Sequence, residues 1–93
     1  MVAHIASSEG VYQIGVVANF TGVNIRTLRQ WEEAGLLKPA RTQGNTRMYS
    51  ANDIDLIKRI KFLVEDKGVN LPGVKLILQL EDKYGREITA DVE

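Results

Sequence analysis

In the stretch RTQGNTRMYSANDI, residues 41 to 54, Arg41 and Arg47 stand on either side of a Gly44-Asn45 pair. A Gly-Asn pair can turn a chain back on itself, and Arg47, Met48 and Tyr49 then alternate in strand fashion, with Arg47 and Tyr49 on one face. If Met48 turns to the core, the guanidinium and the phenol project outward together and Arg41 enters from the other strand. Those donors suit phosphate oxygens. Catalytic chemistry has no comparable set. The chain has no cysteine, and its one histidine, His4, stands in the leader MVAHIASSEG with no second metal ligand at a suitable spacing. No glycine-rich phosphate motif and no paired carboxylates in a plausible cleft are found, so neither an enzyme, a metal site nor a cofactor is expected.

The 93 residues carry zero formal net charge, but the charge is unevenly spread. Between Arg26 and Lys61 stand eight basic residues (Arg26, Arg29, Lys38, Arg41, Arg47, Lys58, Arg59, Lys61) against four acidic ones (Glu32, Glu33, Asp53, Asp55), a surplus of four. The compensating acidic residues lie mainly after Glu65, so an overall balance conceals an anion-binding middle. With 44% hydrophobic and 26% charged residues the chain reads as one ordinary globular domain. No apolar run approaches the roughly 20 residues that span a bilayer, and the leader lacks the pattern of a signal peptide, so a cytoplasmic protein without membrane contact is expected.

The elements that must carry the ribbon can be read locally. Ile14, Val17 and Ala18 mark one face of a short first helix, and TGVN breaks it. Asn24 can cap a second helix with Ile25, Leu28 and Trp31 as its apolar stripe, Arg26, Arg29, Gln30 and Glu33 opposite, and Gly35 as its stop. Trp31 and Tyr12 read as packing residues. Two short helices about a tight turn outline a helix-turn-helix, and the charged ribbon after Pro39 then reads as a wing. Ser50 and Asp53 form a capping box for a third helix whose buried face is Ile54, Ile57, Ile60, Leu63 and Val64, with Lys58, Arg59 and Lys61 on the other sides, ending at Lys67-Gly68. Asn70 caps a fourth helix with Pro72 in its first turn and Leu71, Val74, Ile77 and Leu78 facing inward; helices three and four should form a hairpin. Leu80, Tyr84 and Ile88 continue an apolar stripe at intervals of four, interrupted by Gly85.

The order helix, turn, TLRQWEEAGLLKPART, ribbon GNTRMYSANDI and hairpin KGVNLPGVKLIL resembles the DNA-binding domain of the mercury-resistance-regulator (MerR) family of bacterial transcription factors, over residues 12 to about 80. The resemblance implies a mostly α, winged helix-turn-helix fold: a helix-turn-helix, a short β-hairpin wing and a helical hairpin. It divides the chain into a flexible leader (1–11), the DNA-binding domain (12–80) and a C-terminal extension (81–93) that could begin a dimerisation helix. It places Arg26, Thr27, Arg29 and Gln30 on the recognition helix, Arg41, Arg47 and Tyr49 on the first wing, and Lys75 near a second wing formed by residues 67 to 72. Gln30 stands where the family often has an aromatic. The absence of cysteine argues against the metal- and redox-sensing branches. TLRQW, YSANDIDLI and EDKGVNLPGVKLILQLE are similar to the heat-shock repressor (HspR) branch, whereas PARTQGN and GVNLPGVK are also similar to nitrogen-metabolism regulators of the glutamine-synthetase repressor type. The first branch implies a nucleoid-associated repressor of chaperone operons, bound to an inverted-repeat operator as a homodimer, with an Hsp70-class chaperone as co-repressor. Leu80, Tyr84 and Ile88 are the candidate dimer surface. An alternative of a different class uses that same stripe as a protein-interaction module without DNA; the arginines around the ribbon discriminate against it.

Overall fold

The computed structural model describes residues 6–92. Four α-helices and one two-stranded antiparallel sheet follow in the order α1 (Ile14–Thr21), α2 (Ile25–Glu33), β1 (Ala40–Arg41), β2 (Arg47–Met48), α3 (Ala51–Lys61) and α4 (Leu71–Tyr84). This is the mostly helical, winged arrangement expected from the sequence. The chain divides into two compact units between Lys58 and Arg59. His4 lies outside the described residues.

In the first unit, α1 ends at Gly22 in the left-handed conformation, and α2 starts on Asn24, whose side chain accepts the Thr27 backbone N–H at 2.8 Å. That bond satisfies one of the orphan donors at the helix start. Val17, Val23, Leu28, Trp31, Leu36, Leu37, Tyr49, Ile54 and Ile57 are buried, so the stripe read from α2 reaches the core through Leu28 and Trp31, while Ile25 lies at its margin. The β1–β2 pair is in register Ala40↔Met48 and Arg41↔Arg47. Its loop turns at Thr42–Asn45, with Asn45 N–H donating to the Thr42 carbonyl, and the left-handed residue is Asn45 (φ 65°). Asparagine tolerates that conformation better than most residues with a side chain. The expected capping box is present in full: Asp53 N–H donates to Ser50 Oγ at 3.0 Å, and Ser50 N–H donates to Asp53 Oδ2 at 2.9 Å.

From Ser7 the segment expected as a flexible leader, residues 1–11, is hydrogen-bonded to the rest of its unit. Asn52 N–H donates to the Ser7 carbonyl, and Val11 and Tyr12 N–H both donate to the Tyr49 carbonyl, with Tyr49 N–H returning a bond to Tyr12. Gly10 passes so close to β2 that a Cβ there would come within 2.7 Å of the Met48 carbonyl oxygen, which only glycine avoids.

In the second unit, α3 gives way at Lys61 to a wider π-helical turn, Phe62–Asp66, closed by Lys67 N–H on the Phe62 carbonyl. Asn70 caps α4 through the Gly73 N–H at 2.9 Å, and Pro72 occupies the first turn as expected. Ile60, Leu63 and Val74 are fully buried, and Val64 only partly so. At Gly85 (φ 88°, ψ 163°) α4 stops, and Arg86–Val92 forms 3-10 turns broken at Thr89. No helix among the described residues is long and apolar enough to cross a membrane.

Candidate nucleic-acid interface

Along α2 the polar side is open. Arg26, Arg29 and Gln30 are exposed and Thr27 is half-buried, its backbone committed to the Asn24 cap. Arg26 and Arg29 make no ion pair among the described residues, so their donors remain available to a ligand. Lys38 and Lys58 in the same unit are also exposed, as is Lys75 on α4 in the second unit.

The wing arginines are held differently from the sequence reading. Arg41 and Arg47 are directly opposite each other across the ribbon, a placement that sets two like charges side by side. One carboxylate resolves it. Arg41 donates through a terminal nitrogen to one oxygen of Glu32 at 2.5 Å, and Arg47 donates through Nε to the other oxygen at 2.5 Å. Arg41 also donates to the Asn45 carbonyl at 3.2 Å, tying the guanidinium to the loop tip. Burial pushes the Glu32 carboxyl up, but the hydrogen bonds from Arg47 and Arg41, with their charges, outweigh that and hold it below the usual carboxylate range.

Tyr49 corrects the expectation for the ribbon's face. Its side chain is 0% exposed, and its hydroxyl finds no hydrogen-bond partner among the described residues, so the phenol is not presented to a phosphate. Burial, with the Glu32 charge second, raises its pKa. The alternation of Arg47 and Tyr49 was read correctly, but the direction was reversed: their face turns inward, where Glu32 meets the arginine and the core receives the ring. Met48, whose turn to the core was the condition for that outward face, is half-buried against Gly10. Sequence reasoning also missed Glu32. The available signal was its spacing: Glu32 lies four residues after the buried Leu28, whereas Glu33 lies four after the exposed Arg29.

Two further readings change in the second unit. Arg59, expected on a solvated side, is 6% exposed, and its guanidinium donates to Glu81 at 2.5 Å, where the Thr89 hydroxyl also donates. The stripe of Leu80, Tyr84 and Ile88 is not one helical face, because α4 ends at Gly85; Leu80 is partly buried, while Tyr84 and Ile88 are exposed on separate elements.

Residues 12–81 match the family model described as MerR HTH family regulatory protein. The chain belongs to the MerR family. HspR of Streptomyces coelicolor, whose name marks it as a heat shock protein, is 45% identical over 73 residues, covering 78% of this chain and 48% of that protein. GlnR of Bacillus anthracis, an HTH-type transcriptional regulator, is 39% identical over 86 residues, 92% of this chain and 66% of the relative. MlrA of Escherichia coli, also an HTH-type transcriptional regulator, is 44% identical over 73 residues, 77% of this chain and 30% of the relative. The chain thus spans about half to two thirds of the length of its first two MerR relatives.

Proposed function

We propose that this MerR-family chain is a sequence-specific duplex-DNA-binding module of a bacterial transcriptional regulator, acting in the cytoplasm on the nucleoid. The observation that carries the reading is the open polar side of α2, where Arg26, Arg29 and Gln30 stand exposed beside a capped helix start. In the major groove Arg29 and Gln30 have the donors and acceptors to read base edges. Arg41 and Arg47 would hold phosphates through the guanidinium N–H groups that Glu32 leaves free, and Lys75 would supply a further phosphate contact. One module reaches a short half-site, so an inverted repeat bound by two copies supplies the discrimination a genome demands. Self-association would use the exposed Tyr84 at the end of α4 and the exposed Ile88 beyond the Gly85 break, two separate apolar positions in place of a continuous stripe.

Among finer roles, repression of chaperone genes, with an Hsp70-class chaperone as co-repressor, is favoured by the higher identity to HspR, although GlnR aligns over more of the chain. The test is a salt titration of duplex binding by the parent and by Arg47→Ala. A phosphate contact makes the variant weaker on every sequence and its salt slope shallower by about 1. Loss of binding at one operator position only, with random duplexes unaffected, would refute the wing assignment.

A further inference from the structure

Glu32 sits in the last turn of α2, the end where the helix dipole disfavours a negative charge. Its side chain is only 17% exposed, and each oxygen is taken by a different arginine of the ribbon. The carboxylate therefore does more than join helix to wing: two cations and one anion leave the ribbon with a single net charge. Each guanidinium still has N–H groups to spare, because Arg47 uses only Nε here and Arg41 its two terminal nitrogens. The ribbon can meet phosphate with Glu32 in place, but at reduced charge, and a phosphate competing for the same N–H groups must displace a carboxylate.

We propose that Glu32 limits the wing's grip on the duplex backbone, masking one of the two wing charges so that sequence-independent affinity for phosphate stays low. Electrostatic attachment to the backbone strengthens binding to every duplex alike, so each unmasked wing charge raises affinity for any duplex without adding discrimination between sequences. The inference rests on the DNA-binding reading given above.

The test measures binding of a random-sequence duplex across a salt series by the parent, Glu32→Gln, Arg41→Gln/Arg47→Gln and the triple variant. Binding by the parent that weakens with salt upholds the underlying reading; its absence overturns that reading whatever Glu32 does. Given parental binding, Glu32→Gln is expected to bind the random duplex about 5-fold more tightly at low salt, with a slope steeper by about 1. Adding Glu32→Gln to the double arginine variant is expected to give a clearly smaller gain, since nothing remains to unmask. Equal or weaker binding by Glu32→Gln, or an equal gain in the absence of the arginines, overturns the inference. Melting curves show whether Glu32→Gln is folded. If it is not, Glu32→Asp, which keeps the charge but is one methylene short of both guanidiniums, is expected to shift binding in the same direction by less, and unchanged or weaker binding by that variant overturns the inference equally.

Discussion

Glu32 and Glu81 each gather two arginines, yet the two clusters differ in nearly everything that determines their effect. At Glu32 the partners are Arg41 and Arg47, with side chains 34% and 25% exposed, on the two-stranded ribbon. At Glu81 the principal partner is Arg59, whose side chain is 5% exposed, while Arg86 stands at 4.0 Å and the Thr89 hydroxyl completes the set. The same pairing therefore sits in opposite settings: the Glu81 cluster is buried, where a lost partner leaves a desolvated charge, and the Glu32 cluster is partly exposed, where it leaves a solvated one. A charge pair in water contributes little to stability, whereas breaking a buried one leaves a desolvated charge.

The largest expected effect of separating the two clusters is on folding. Glu81→Ala strips Arg59 of its carboxylate and is expected to destabilise the protein by about 3 kcal/mol or more in urea unfolding. A loss no greater than that of a typical surface substitution would put the two clusters in one class. Acid tests the Glu81 cluster next. Burial raises the Glu81 carboxyl, but hydrogen bonds from Arg59 and Thr89 outweigh it, and the folded-state value lies below the ordinary one, as for Glu32. Groups lowered in this way stabilise the fold fully above the unfolded-state pKa and lose that contribution as pH falls through the folded-state value. Stability is thus expected to decline on acidification from the ordinary glutamate range downward, less steeply in Glu81→Gln than in the parent. An identical acid profile for the two would remove Glu81 from the explanation.

The clusters also mark where sequence reading succeeds and where it stops. Asn24, Asn70 and the Ser50–Asp53 box were legible because a cap and the N–H it serves lie three residues apart, within one turn. The helices and the ribbon followed from such local signals, and so did the exposed side of α2. Alternation with period two gives the parity of Arg47 and Tyr49 but not which way their shared face turns, since that depends on Glu32, 15 residues away from Arg47. Arg59 and Glu81 are 22 residues apart, and nothing in the basic run around Arg59 distinguishes the buried member from its solvated neighbour Lys58. Ile88 was lost from the apolar stripe through one glycine, whose φ of 88° redirects the backbone.

Smaller effects sharpen the contrast. Glu32→Gln is expected to cost no more than about 1 kcal/mol in the same urea assay, because its pairs are partly solvated. A loss as large as that at Glu81 would make the wing cluster structural. Tyr49→Phe, which removes a buried hydroxyl that has no partner among the described residues, is expected to be neutral or slightly stabilising, by less than about 1 kcal/mol. Clear destabilisation would mean that the phenol is bonded in solution.

Selection of bound sequences from a random duplex pool, by the parent and by Arg29→Ala and Gln30→Ala, addresses the reading role of α2. The parent is expected to enrich an inverted repeat, and each variant to lose about 1 to 3 kcal/mol of discrimination for each bidentate base contact it gives up, at a defined position in both half-sites. If both variants enrich the parent's sequence with unchanged preference over random DNA, α2 is not the element that reads the duplex.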